Sequence, residues 1–404
     1  VARVLYVTIP AEGHVNPTLG LVKQLVDNGE EVVYMNVEPF RNRLAQTGAE
    51  FRAYSINEQL FVELGLSPTE YTHPHHLTEF ILRGMIEPII PEVLRLIEND
   101  SFDYVIVDSL FGWGGAILGE KLGIPLICSA TNFAFDKPVS HVIKMKEADD
   151  NLDVEALCVR LTTSAERVAS ACKVTVPALD DITRQYGQLK VVFTSRYFQP
   201  ESEKYDDSYI FSGPSISPRP DAPSFSFDQL RSKYNKVIYI SMGSILNKDI
   251  EFYKLCFEAF KDIPAQFVLA SGRETDITSL EESIPSNFIL QPYVPQLEIL
   301  QRADAFVTHA GMNSASEALY YHVPLIAIPL SSDQPIVAQQ AAHLGAGITL
   351  DKEQLTPETL KLAVLKVLNN PIYKQRAKMI GDSFRSAGGY QEAAERIMSL
   401  FSKV

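Results

Sequence analysis

Short apolar runs alternate with amphipathic stretches along almost the whole of this 404-residue chain. RVLYVTIP (3–10), EVVYMNV (31–37), EFRAYSI (50–56), YVIVDS (104–109), PLICSAT (125–131) and KVVFTS (190–195) have the continuous apolar character of strands buried on both faces. Helical patterns lie between most of them. The clearest is VNPTLGLVKQLVDNG, where Asn16 suits an N-cap, Pro17 the first helical position and Gly29 the stop. Leu19, Val22, Leu25 and Val26 then share one stripe. Alternation of this kind predicts a parallel, doubly wound sheet. The pattern breaks at FSGPSISPRPDAPSFSF (211–227), whose proline and serine content predicts a linker. It then resumes in VIYISMGS (237–244), QFVLASG (266–272), NFILQPYV (287–294), AFVTHAG (305–311) and PLIAIPL (324–330). The expected fold class is α/β, with two Rossmann-like domains, 1–210 and 228–404, facing each other across a cleft. The last helical stretch, YQEAAERIMSLF (390–401), is expected to pack back on the first domain.

Composition narrows the partners. Apolar residues make up 46% and charged residues 21%, the balance of an ordinary soluble globular protein. A net charge of −14 argues against nucleic acid, which wants basic surface. It also argues against stable membrane association through a basic amphipathic face. Cys128, Cys158, Cys172 and Cys256 show no CxxC pairing and read as free thiols in a reducing compartment. No window approaches the ~20 apolar residues of a membrane span, and no signal peptide is expected before RVLYVTIP. A cytoplasmic monomer is the expectation.

The polar clusters fall where strands turn into helices, the place where such sheets bind ligands. GHVNP follows the first run, DSLFGWGG the YVIV run, SMGS the first run of the second half, and THAGMNSASEAL (308–319) a later one. In the last of these, Gly311 suits a close backbone approach, and Asn313, Ser314 and Ser316 stand at a helix start. A helix N-terminus offers amides and a positive dipole end, which together hold phosphate. His309 and Asn313 can add side-chain hydrogen bonds, and Glu317 can accept from two adjacent hydroxyls, as on a ribose. The plainer alternative is a capping box between Ser314 and Glu317.

YVPQLEIL (293–300), THAGMNSASEAL and IPLSSDQPIVAQ (328–339) occur in that order within 50 residues. This block resembles the donor-binding signature of the inverting UDP-dependent glycosyltransferases of the GT-B fold, W-x-P-Q, then H-x-G-x-N/G-S-x-x-E, then D/E-Q. The resemblance covers the whole chain, including the early G-H-x-x-P, and is greatest to the bacterial subgroup that includes macrolide glycosyltransferases. It implies that Tyr293, in place of the usual tryptophan, stacks on uracil, with Val294 and Gln296 beside it. It implies Glu317 at the ribose, and His309, Gly311, Asn313 and Ser314 at the diphosphate, with Ser244 joining them. Met312 replaces a large aromatic and would contribute backbone only. Asp333 and Gln334 would meet the sugar hydroxyls, and a glutamine there goes with glucose in plant relatives.

For catalysis the resemblance implies that His14 is the general base and Asp108 its partner, fixing the tautomer and stabilising the imidazolium. Asp108 could instead cap the helix that follows it. UDP-glucose is the implied co-substrate, with no cofactor and no metal. HPHH (73–76) fits neither a helical i, i+4 pair nor a standard zinc spacing and reads as a loop at an acceptor mouth or a surface turn. Phe61, His75, Phe80, Trp113, Phe133 and Phe135 are the acceptor-wall candidates, each of which could equally be core. They suggest a flat apolar hydroxylated acceptor such as a flavonoid, another phenol or a macrolide. A lipid-acceptor transferase, a UDP-sugar epimerase and a non-catalytic nucleotide-sugar binding protein are the alternatives.

Overall fold

A computed structural model describes residues 1–56, 58–66, 72–143, 152–217, 219, 222–230, 233–243, 249–272, 275 and 278–401. The chain packs as two compact units, Val1–Ser217 with Ala387–Val404, and Pro218–Ser386.

The first unit is built on seven strands: β1 (Arg3–Val7), β2 (Glu31–Asn36), β3 (Glu50–Ala53), β4 (Tyr104–Asp108), β5 (Leu126–Ala130), β6 (Leu189–Val192) and β7 (Tyr209–Phe211). Their order is β3-β2-β1-β4-β5-β6-β7, and every pairing is parallel. Parallel strands with helices on both faces are apolar throughout, which is why the runs read as continuous rather than alternating. Leu5 and Val7 of β1 face one core cluster, while Val4 and Tyr6 face the other. The strand order reverses between β1 and β4, so the loops that leave those two strands open a crevice at the carboxyl edge.

The second unit repeats the plan with β8 (Val237–Ser241), β9 (Gln266–Ala270), β10 (Phe288–Gln291), β11 (Ala305–Thr308), β12 (Leu325–Ala327) and β13 (Gly347–Thr349). Its order is β10-β9-β8-β11-β12-β13, again all parallel, and the reversal lies between β8 and β11. Phe260, Phe267 and Phe288 stack successively in its core, with centroid spacings of 4.7 and 4.9 Å.

Two local expectations need correction. Asn16 is not an N-cap, because a four-residue helical turn, Glu12–Val15, precedes it and Asn16 closes that turn. Its side chain donates to Glu12 at 3.1 Å and accepts from Arg43 at 2.9 Å, and the cap position of the next helix falls on Pro17. The helix Thr18–Asp27 follows directly, burying Leu21 with Val22 and Leu25, while Leu19 and Val26 are only partly buried. HPHH is likewise not a loop. His73 caps the helix Pro74–Ile81, its ring nitrogen accepting from the His75 amide at 3.1 Å.

The last helix, Gly389–Phe401, belongs to the first unit and lies on Thr18–Asp27. Gly20 permits that approach, since a Cβ there would stand 2.6 Å from the Tyr390 ring. All four cysteines are free thiols, with Cys128, Cys172 and Cys256 buried. Among the described residues no helix is long and apolar enough to cross a membrane.

Candidate functional site

In the first unit the switch point joins two strand ends. His14 sits on the helical turn just after β1, and Asp108 is the last residue of β4. His14 Nδ1 lies 2.7 Å from Asp108 Oδ2, with the carboxylate fully buried and the imidazole 15% exposed. A carboxylate accepts, so Nδ1 carries the hydrogen and the basic lone pair falls on Nε2. The other carboxylate oxygen, Oδ1, accepts from the Leu110 amide at 2.8 Å and caps the short turn Ser109–Phe111. Asp108 is therefore hydrogen-bonded to the ring and to the turn at once, and the cap holds the carboxylate in place for the ring. Thr131, just beyond β5, brings its hydroxyl within 3.0 Å of the same Nδ1.

Behind this corner lies a buried polar network. Tyr34 Oη is 2.8 Å from both Thr8 and Thr18 hydroxyls, Asn36 donates to Thr8 Oγ1 at 2.8 Å, and Tyr54 donates to the Thr8 carbonyl at 2.5 Å. Burial pushes the Tyr34 phenol up, out of reach of ordinary pH. The network ties the end of β1 to β2 and to the next helix, which fixes where the His14 turn begins. Thr8, Tyr34, Asn36, Tyr54 and Thr131 carry no sequence signal that separates them from ordinary strand residues.

In the second unit the switch point brings the end of β8 against His309, which follows β11. The imidazole lies between two glycines: a Cβ on Gly243 would stand 2.7 Å from His309 Cε1, and one on Gly311 2.6 Å from Nε2. Gly243 is also left-handed, with φ +83°, so it meets both a steric and a conformational demand for glycine. The ring keeps some accessible surface, yet burial pushes its pKa down to about 4, and a hydrogen bond to the Ser241 backbone only partly opposes this. Near neutral pH His309 is an uncharged donor, not a cation. Ala310 adopts φ +60°, an unusual conformation for alanine that turns the chain into the helix Met312–Tyr320.

That helix has Gly311 as N-cap, and no side chain caps its first turn. Its amides and dipole end are thus shaped for an anion. The capping-box alternative fails, because Glu317 faces elsewhere. Glu317 is 5% exposed, accepts from Gln296 Nε2 at 2.7 Å on one oxygen, and pairs through the other with Arg219. Ser314 is 3.5 Å from the same Gln296 nitrogen, and Asn313 is partly exposed on the first turn. Met312 and Val294 are buried, at 5% and 1% exposure, while Tyr293 is 39% exposed, unusual for an aromatic ring in this fold. Gln334 accepts through Oε1 from the Leu330 and Ser331 amides at 2.8 and 3.2 Å, so its carbonyl end holds its own loop and its NH2 end is the one available for donating outward. Asp333 beside it is the N-cap of Gln334–His343, without a side-chain cap bond. Ser244 lies outside the described residues.

The acceptor-wall candidates separate by burial. Trp113 and Phe133 are 4% and 1% exposed; Trp113 packs in the core, and Phe133 lies against Phe198 at 5.5 Å. Phe61, Phe80 and Phe135 are partly exposed at the margin of that core, with Phe61 and Phe80 5.5 Å apart. His75 is partly buried near Asp180, which also pairs with His141 at 3.1 Å. Burial and the neighbouring histidines lower the His75 pKa. Among the described residues no group of three or more His, Cys, Asp or Glu side chains is placed to hold a metal ion.

A solved structure of the glycotransferase of kitacinnamycin superposes with a TM-score of 0.79 at 26% identity, covering 99% of each chain. Two parallel sheets of this order, each with polar residues gathered at its reversal, therefore define the GT-B glycosyltransferase class. The model of the UDP-glucoronosyl and UDP-glucosyl transferase family matches residues 215–383. Two Bacillus subtilis proteins described as uncharacterized UDP-glucosyltransferases are similar over nearly their full lengths. YojK is 35% identical across 98% of this chain and 97% of its own, and YdhE is 36% identical across 98% of each. The chain belongs to the UDP-glucosyltransferase family.

Proposed function

We propose that the protein transfers a hexose, glucose in the first instance, from its UDP-sugar to a hydroxyl of a small apolar natural product, with inversion at the anomeric carbon. The observation that carries this reading is the His14–Asp108 pair at the reversal of the first sheet. His14 Nε2 takes the proton of the acceptor hydroxyl as its oxygen attacks the anomeric carbon. The positive charge that develops on the ring is met by Asp108 through Nδ1–H. The bond from the anomeric carbon to the diphosphate oxygen breaks at the same time, and UDP leaves with the electron pair.

The second unit holds the leaving group in this reading. The first turn of Met312–Tyr320, Asn313, Ser314 and the neutral His309 receive the diphosphate charge, so no divalent ion is required there. Tyr293 stacks on uracil, Glu317 accepts from the ribose hydroxyls, and Asp333 with the Gln334 amide meets the sugar. A carboxylate placed for two hydroxyls favours UDP over a deoxyribose donor, since the missing 2′-hydroxyl leaves an acceptor position unmet. Partly exposed Phe61, Phe80 and Phe135, with His75, are the side chains proposed to touch the acceptor. A flavonoid, another phenol or a macrolide fits their apolar character, and the solved relative's association with kitacinnamycin supports a natural-product acceptor.

The test is direct. Purified protein is incubated with UDP-glucose and a pool of flavonoids, simple phenols and macrolides, and products are read by mass spectrometry. A hexose adduct that is absent with His14→Ala is expected. Release of glucose from UDP-glucose with no adduct on any hydroxylated compound would sink the transferase reading for these acceptors.

A further inference from the structure

We infer that Arg219 is a positioning residue of the donor site, holding Glu317 so that its remaining acceptor positions are presented to the ribose. This rests on the proposed contact between Glu317 and the ribose.

A directional chain of hydrogen bonds leads to the carboxylate. The Tyr239 hydroxyl donates to Gln296 Oε1 at 3.1 Å, which fixes the amide with its NH2 toward Glu317. Gln296 Nε2 then donates to Glu317 Oε2 at 2.7 Å. The Arg219 guanidinium, from the start of this unit's sequence, donates to Oε1. One donor thus sits on each carboxylate oxygen. A carboxylate offers about four lone-pair positions, so about two remain, the number that two adjacent ribose hydroxyls need.

Electrostatics adds a second reason. The Glu317 side chain is 7% exposed, and a carboxylate so buried is costly without a countercharge. Gln296 and Tyr239 are neutral, so the countercharge in this chain of contacts is Arg219. The Arg219 side chain is 21% exposed, and Arg219 itself lies in neither a helix nor a strand. Sequence reading passed over Arg219 because it stands in the proline- and serine-rich segment, about 100 residues from its partner.

The experiment compares binding of UDP and 2′-deoxyuridine diphosphate to the full chain by calorimetry, for wild type, R219A, R219K, E317A and R219A/E317A. Wild type should prefer UDP, and R219A should reduce that preference about tenfold, the size of one charge-assisted hydrogen bond. R219K should restore part of it, since lysine supplies the charge without the planar fork. In the E317A background R219A should change nothing further. An unchanged preference in R219A would overturn the inference. Tighter UDP binding in R219A would overturn it as well, by showing that the guanidinium occupies the ribose position and must be expelled. If E317A itself leaves the preference intact, the ribose contact is wrong. If E317A removes the preference and R219A does not, only the role of Arg219 is wrong.

Discussion

The two sheets share one topology and put it to opposite electrostatic use. In each, the loop after the first strand meets a residue at the end of the fourth. In the first unit that meeting is His14 with Asp108, an imidazole against a buried carboxylate at 2.7 Å. In the second it is Gly243 against His309, an imidazole enclosed by glycine backbone, with its pKa pushed down to about 4. The first arrangement stabilises a proton arriving on the ring, and the second resists one. In the proposed mechanism a base and a neutral hydrogen-bond donor are thus made from the same residue type, and the neighbour across the reversal decides which.

The largest effect expected from breaking this contrast is on His14. His14→Ala should lower kcat for transfer to an alcohol by about 10²–10⁴-fold, the range of general base catalysis, while UDP affinity stays within a few-fold. A parallel collapse of UDP binding, measured by calorimetry, would reassign His14 to the donor. Asp108→Asn should follow at roughly 10²-fold, because an amide facing Nδ1 no longer selects the tautomer or stabilises the imidazolium. A rate equal to wild type would show that the carboxylate serves only its cap to Leu110.

Gly243→Ala tests the other side. The added methyl would meet the His309 ring and sit at φ +83°, costing about 1–3 kcal/mol of stability and displacing the ring. Thermal unfolding and UDP affinity should both fall. If neither moves, the close packing of His309 between glycines is not what sets its place.

Much of this was legible in the sequence because burial on both faces writes itself as continuous apolar runs, and because the reversal point gathers polar residues after particular strands. Two of the four edge strands, β7 and β13, were not, since Tyr209–Phe211 and Gly347–Thr349 are three residues long and show no period. Trp113 and Phe133 look like ligand platforms in sequence but are buried, at 4% and 1% exposure, a distinction that residue type alone does not make. Asn16 looks like a cap because its spacing from Pro17 is right, and only Glu12 and Arg43, contributed by the preceding turn and a helix after β2, show that its side chain is already engaged. Thr131, Tyr239 and Arg219 were missed for one reason: each acts through a partner more than 50 residues away.

The pH-dependent effect is the most specific to the contrast. Folded His309 stays neutral down to about pH 4, whereas the same residue in an unfolded chain takes up a proton near its ordinary 6.5. Between those values the unfolded state binds more protons, so stability falls as the pH drops through the window and levels off below it. One such group contributes at most about 3 kcal/mol to that loss. Melting curves of wild type and His309→Gln across this range should differ in slope, with the variant less sensitive to acid because the glutamine has no proton to gain. Equal slopes for wild type and His309→Gln would mean that burial between the glycines does not hold the folded His309 ring neutral in this window.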